Sequence, residues 1–290
     1  MKTNVVIHSD NLPILKSMSA ESIDLVYCDP PFNTGDSWSG GVGGYSDKFE
    51  KSIPAPESMA WISEVFDEGS VMYCNYMAWR LLEIHRVLKL TGHLFLHCDW
   101  RESAHLQVIG NYIFGKQRFK NEIIWRYPKA YAGDHFESHP HQLSIAHNSI
   151  LWWERTSISP FNPLYMPYST KQIKEFFHHK DSNGNRFRVR ASKGRIRYYA
   201  KDAPGIPMTD VWDLNVAYPS ERSGYPTQKP KALLNRIIKC GSVEGGVVLD
   251  PFCGSGTALL SARNLGREYI GIDSNDEAVA LSYSKLGIVV

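Results

Sequence analysis

Two loops of unusual composition each follow a short apolar run, and together they confine this chain to an open α/β sheet. Ile23–Cys28 leads into Asp29-Pro30-Pro31-Phe32 near the N-terminus. Residues 247–249 lead into Asp250-Pro251-Phe252-Cys253-Gly254-Ser255-Gly256-Thr257 near the C-terminus. Short continuous apolar runs bounded by turn residues read as parallel strands buried on both faces. Ligands in such sheets bind at the carboxyl ends of the strands. Both loops therefore belong at one sheet edge, one suited to a nucleotide-like cofactor and the other to a planar amine.

The rest of the chain fits that frame. Val5–His8, a helix over 12–18 and Ile23–Cys28 form a βαβ rhythm. The Gly/Ser-rich stretch 33–51 breaks it; a long loop directly after Phe32 predicts a lid over the site. Residues 56–90 read as mostly helical, interrupted near Gly69. Met72, Tyr76, Trp79 and Leu82 form the expected core stripe, and Gly92 the expected C-terminal cap. A strand over 93–98 ends at Asp99, a helix follows over 101–114, and strands follow over 122–125 and 149–153. A second βαβ unit comprises a helix over 230–239, the strand 247–249, a helix over 257–265 and a strand over 269–272.

At 290 residues the chain can bury roughly three quarters of its unfolded surface, which suits one large core with a small insertion. The rhythm is lost between Tyr127 and Pro207. The expected organisation is a catalytic half over 1–126, an insertion over 127–207 and a cofactor-binding half over 208–290. A formal net charge of +2 means that affinity for nucleic acid must come from local basic patches. Cys28, Cys74, Cys98, Cys240 and Cys253 are scattered and odd in number, so a reducing cytoplasm is expected rather than a disulfide framework. No apolar run reaches spanning length and no signal-peptide pattern opens the sequence. The expectation is no membrane association and a mature chain that starts where the sequence does.

Between a strand and a helix, the glycines of 252–256 let the backbone approach a ligand, and the helix start offers free N–H groups. Asp273 follows 23 positions after Asp250, a spacing that suits an acid on ribose hydroxyls. The competing dinucleotide fingerprint lacks its third glycine here, because Thr257-Ala258-Leu259 follow. At the other loop, a ring-conjugated amine is a poor nucleophile whose lone pair is delocalised. It needs fixed oxygens on its N–H bonds. The Asp29 carboxylate and the Pro30 carbonyl can accept both, Pro31 stiffens the loop, and Phe32 offers a stacking face. Taken alone, the tetrapeptide reads equally as a plain strand end.

Residues 186–197 are the densest basic segment, with seven Lys/Arg from Arg186 to Lys201. Period two predicts a hairpin with one arginine-rich and one apolar face. A solvated surface hairpin is the bland alternative; a basic ribbon in a groove of nucleic acid is the sharper one. Arg186, Arg188, Arg190, Lys193, Arg195 and Arg197 are the expected nucleic-acid contacts. His135, His139, His141 and His147 lack metal-site spacing, so no metal is expected.

Together these segments, with Tyr225-Pro226-Thr227-Gln228-Lys229-Pro230, resemble the β-class S-adenosylmethionine-dependent DNA amino-methyltransferases, in which the catalytic loop precedes the cofactor loop. The resemblance implies a Rossmann-like, seven-stranded, largely parallel methyltransferase sheet in permuted motif order, with a small inserted target-recognition region over 127–207. It implies S-adenosylmethionine as cofactor. The implied catalytic residues are Asp29, Pro30, Pro31 and Phe32. The implied cofactor site comprises Asp10, Asp29, Thr227, Gln228, Lys229, Asp250, Pro251, Phe252, Cys253, Gly254, Ser255, Gly256, Thr257 and Asp273. Asp as first loop residue resembles members that methylate adenine N6 in flipped-out bases of double-stranded DNA. Cytosine N4 and RNA adenine are the alternatives. A separately encoded restriction endonuclease and a homodimer are the partners such a resemblance suggests.

Overall fold

A computed structural model describes residues 2–35, 37, 38, 45, 46, 49, 53–127, 143–190 and 196–288 of the chain. Two compact units emerge: residues 1–162 with 210–290, and residues 163–209.

The larger unit is built on an eight-stranded sheet. Its strands are β1 (Val5–His8), β2 (Ile23–Cys28), β3 (Leu88–Cys98), β4 (Phe119–Arg126), β5 (His147–Glu154), β6 (Val211–Asp213), β7 (Val247–Asp250) and β8 (Glu268–Asp273). Their spatial order is β1-β8-β7-β2-β3-β5-β4-β6. Every neighbouring pair is parallel except β3–β5 and β5–β4, so β5 alone runs against the rest. The sheet is largely parallel as expected, with one strand more than seven: the three-residue edge strand β6, too short to stand out in sequence.

The helices that flank it are α1 (Asn11–Ser17), α2 (Glu68–Val87), α3 (Ser103–Phe114), α4 (Lys231–Gly241), α5 (Thr257–Asn264) and α6 (Asp276–Leu286). Alternation along the central strands divides the core. Val26, Cys28, Leu94, Leu96 and Cys98 join one cluster with Leu15 of α1, Tyr73, Met77 and Leu81 of α2 and Leu106 of α3. Leu25 and Phe95 point the other way, so close to α4 that a Cβ at Gly241 would meet them at 2.9 and 2.6 Å. Each buried aliphatic or aromatic side chain contributes about 1.5–3 kcal/mol relative to exposure.

Two expectations for α2 are corrected. The fully buried stripe is Tyr73, Cys74, Met77, Ala78, Leu81 and Ile84, whereas Met72, Tyr76, Trp79 and Leu82 are half-buried. Gly92 is not a cap: the helix ends at Val87, and Gly92 lies inside β3, where a Cβ would meet the Ile23 carbonyl oxygen at 3.1 Å.

The insertion expected over 127–207 is also redrawn. Residues 147–154 form β5 of the main sheet, and the separate unit begins at Pro163. That unit contains the expected hairpin, Arg186–Arg190 antiparallel to Ile196–Tyr199, with His179–Lys180 on its other side. The single arginine face is not formed. Residues paired across antiparallel strands share a face, and Arg197 pairs with Val189. Arg186 and Arg188 therefore share one face, while Arg197 lies on the other, its guanidinium 4.8 Å from the Phe187 ring centroid. The register depends on the length of the turn, which sequence period alone does not fix. Lys193 and Arg195, and His135, His139 and His141, lie outside the described residues.

Candidate active site

Because β1, β2, β3, β7 and β8 are parallel, their carboxyl ends share one edge. Asp10, Asp29, Asp99, Asp250 and Asp273 lie there, each within two residues of a strand end. A cavity of about 1250 Å³ opens along this edge. Of the residues expected at the site, Asp10, Asp29, Pro30, Pro31, Phe32, Thr227, Gln228, Lys229, Asp250, Pro251, Phe252, Cys253, Gly254, Ser255, Thr257 and Asp273 line it. Gly256 stands behind the lining, with φ +72 against Ser282 of α6. The cavity lies within the larger unit, where the structure brings the two loops together.

The Asp29–Phe32 loop leaves β2 between charged and aromatic neighbours. Asp29 Oδ2 lies 2.7 Å from Lys229 Nζ. The same ammonium lies 5.2 Å from the Phe32 ring centroid. On the adjacent strand β3, fully buried His97 places Nδ1 3.7 Å from Asp29 Oδ1 and its ring 5.5 Å from that of Phe32. Burial, and then the nearby Lys229 charge, push His97 well below the usual imidazole range, so it is neutral. Asn148 Nδ2 lies 3.1 Å from its Nε2, and the Tyr27 hydroxyl 2.9 Å from its Nδ1. This network assigns the proton to Nδ1, with Nε2 accepting from the amide.

The cofactor loop is tied down from both sides. The Cys253 N–H donates to the Ile272 carbonyl at 3.0 Å, and the Gly254 N–H to Asp273 Oδ2 at 2.8 Å. Ser282 Oγ donates to the Gly254 carbonyl at 2.8 Å. Gly254 has φ +49, and a Cβ there would lie 3.0 Å from the Tyr225 ring. Lys285 Nζ donates to Ser255 Oγ and Thr257 Oγ1 at 2.9 and 2.8 Å, and burial pulls this lysine down to about 8. Asp250 is buried, which raises its carboxyl well above the usual range; the Phe252 N–H donates to it at 3.0 Å. Asp273 is raised by burial as well, and its second oxygen accepts from the Asn275 N–H at 2.9 Å.

At the β1 end, Asp10 caps α1 through the Leu12 N–H at 2.8 Å and pairs with Arg80 Nη2 at 3.1 Å. The Arg80 guanidinium stacks 3.3 Å from the Tyr76 ring centroid. Gln228 folds back on its own loop, accepting from Ser223 Oγ at 2.8 Å and donating to the Glu221 carbonyl at 2.6 Å. It orders the segment that presents Lys229.

These residues suit S-adenosylmethionine. Gly254, at positive φ on the cavity wall, leaves room that a side chain would take up against Tyr225, the start of α5 offers N–H groups, and Asp10 and Asp273 offer carboxylate acceptors. A model of the DNA methylase family matches residues 23–284, about nine tenths of the chain.

The chain belongs to the DNA methylase family.

This methylase is 28% identical to the DNA adenine methyltransferase YhdJ of Escherichia coli K12, over 99% of this chain and 84% of that one. Its fold is that of the cytosine-N4-specific PvuII DNA methyltransferase, with TM-score 0.61 and 15% identity over 98% of this chain and 86% of that one. The M1.HpyAVI–SAM complex shares it too, with TM-score 0.51 and 18% identity over 97% and 98%.

Sequence reasoning missed His97, Tyr27, Asn148 and Arg80 of the methylase. A polar residue inside an apolar strand run was the available signal for His97. Arg80 and Asn148 carried none, since their partners lie 70 and 51 positions away.

Proposed function

We propose that this methylase transfers a methyl group from S-adenosylmethionine to N6 of an adenine flipped out of double-stranded DNA. The reading rests on one observation above all: Asp29 and Phe32 stand on the same cavity as the glycine cradle of 250–257. S-adenosylmethionine supplies an electrophilic methyl group. Asp10, Lys229, the loop 250–257 and Asp273 would hold this donor.

Asp29 and the Pro30 carbonyl accept the two N–H bonds of the amine, so nitrogen pyramidalises as charge develops. Transfer would form the nitrogen–methyl bond as the donor's sulfur–methyl bond breaks, and the surplus proton of the methylated amine would leave along its hydrogen bond to the Asp29 carboxylate and pass on to water. Phe32 supplies a flat face for the extruded base. Neutral His97 keeps a second cation away from Asp29 while its ring supports that of Phe32.

Adenine is favoured by Asp29 as the first loop residue and by the likeness to an adenine methyltransferase. Cytosine N4 is the second reading, favoured by the fold shared with a cytosine-N4 enzyme. Target recognition belongs to the unit 163–209, whose hairpin presents Arg186 and Arg188 on one face. No helix among the described residues is long and apolar enough to cross a membrane; with DNA as substrate, the methylase works in the cytoplasm. A separately encoded restriction endonuclease and a second copy of this chain are the partner readings, tested by co-purification and by light scattering.

The test of substrate is transfer of labelled methyl into unmethylated DNA, followed by digestion to nucleosides. N6-methyladenine is the expected product. N4-methylcytosine overturns the base assignment, and label in RNA alone overturns the polymer.

A further inference from the structure

Behind the catalytic loop lies a buried polar cluster that the chemistry above does not use. Glu102, between β3 and α3, is only 3% exposed. Its Oε1 accepts from Asn33 Nδ2 at 2.7 Å and from Ser70 Oγ at 3.2 Å; its Oε2 pairs with His105 Nδ1 at 2.8 Å. Asn33 follows Phe32 directly and has a left-handed backbone, φ +56. Its Nδ2 also lies 3.3 Å from the Gly69 carbonyl oxygen. Residues from the starts of α2 and α3 thus converge on the residue that ends the Asp29–Phe32 loop.

A buried carboxylate is tolerable only when donors surround it. Here both oxygens are engaged, and bonds to an ionised acceptor are roughly twice as strong as neutral ones. Cys74 Sγ lies within 4.8 Å of the same carboxylate and imidazole, an arrangement that resembles metal ligands. Burial raises that thiol far above its usual range, so it stays protonated and is no ready ligand.

We infer that Glu102 is a positioning residue for methyl transfer. Through Asn33 it fixes the exit of the catalytic loop, and so the placement of Asp29 and Phe32 relative to the cofactor cradle. This inference rests on the reading that Asp29 and Phe32 hold the target base. A misplacement of about 1 Å in such a loop costs on the order of 100-fold in rate.

The polarity of the contact makes it testable by exchange. Asn33→Asp sets two carboxylates against each other; Glu102→Gln turns one acceptor into a donor. Combined, they restore the bonds around residue 102 in reverse: the new amide donates to the new carboxylate and to Ser70 Oγ, and its carbonyl accepts from His105, while the longer contact of residue 33 with the Gly69 carbonyl is given up. Asn33→Gly tolerates the left-handed backbone and removes the side-chain contacts to Glu102 and the Gly69 carbonyl.

Steady-state kinetics on DNA, calorimetric binding of S-adenosylmethionine and melting temperature are measured for all four variants, with wild type and Asp29→Ala alongside. The expected result is a kcat loss of about 100-fold for Asn33→Asp and about 10-fold for Asn33→Gly. Cofactor affinity and the KM for DNA hold, and the double variant recovers to within about threefold of wild type. Unchanged kcat in folded Asn33→Gly overturns the inference. So does a kcat loss that merely follows melting temperature with no recovery in the double variant. An inactive wild type, or a fully active Asp29→Ala, instead overturns the base-holding reading and this inference with it.

Discussion

Asp29 meets a lysine before it meets an amine. Lys229 Nζ sits 2.7 Å from one of its oxygens and close to the Phe32 ring, so carboxylate and stacking face carry a counter-ion in the structure. Phe32 is the residue on which stacking can be tested alone. Phe32→Ala is expected to lower kcat/KM for DNA by roughly 5- to 150-fold, corresponding to about 1–3 kcal/mol of stacking per base. Cofactor affinity stays unchanged in isothermal titration, and Phe32→Tyr stays within a few-fold of wild type. Asp29 and Phe32 were legible because Asp-Pro-Pro-Phe after an apolar run has a chemical reading of its own. Lys229 was legible only as a neighbour of the cofactor loop, since its ion pair reaches back to the other end of the sequence. His97 was not legible: one histidine in a strand reads as core, and its neutrality follows from burial beside Lys229.

At the scale of elements, the cofactor loop depends on a backbone that only glycine adopts freely. Gly256 has φ +72, and a Cβ there would lie 2.6 Å from Ser282 Oγ. Gly287, at φ +63 with nothing within 4 Å, is the internal control. Gly287→Ala is expected to cost about 1–2 kcal/mol of stability, the backbone penalty alone. Gly256→Ala costs more and also weakens S-adenosylmethionine binding; equal melting shifts with full affinity would contradict that role. The strands and helices around both loops were legible from apolar runs and punctuation. The expected α2 stripe lies on nearly the opposite side of the helix from the buried one, because Tyr76 and Trp79 are large and apolar yet only half-buried, Tyr76 facing the cavity. The antiparallel direction of β5 left no trace in sequence, since a buried strand reads the same either way.

At the scale of the molecule, acid stability and salt dependence separate the two units. His85, in the last turn of α2, is drawn down to about 4 by burial and then by Arg155. Its folded form takes up a proton later than the unfolded chain, whose histidines titrate near about 6.5. It therefore contributes to a loss of stability as pH falls from about 6.5 to about 4. Buried Asp250 opposes this, because its raised carboxyl binds a proton first in the folded state. His85→Gln is expected to reduce the pH slope of urea-derived stability in that window by one proton, about 1.4 kcal/mol per pH unit, with activity unchanged. An identical slope would refute the assignment. For the unit 163–209, replacing Arg186, Arg188, Arg190, Lys193, Arg195 and Arg197 by Gln is expected to weaken DNA binding. It should lower the slope of log affinity against log salt by about 0.9 for each phosphate that is no longer neutralised. A preserved slope would remove the hairpin from the interface. The central claim, that the two loops form one methyl-transfer site, is tested most directly by Asp29→Ala. N6-methyladenine formed in DNA and calorimetric S-adenosylmethionine binding are measured on the same preparation. The expected variant still binds S-adenosylmethionine and forms at least about 100-fold less N6-methyladenine; a variant that methylates adenine at the wild-type rate would contradict the claim.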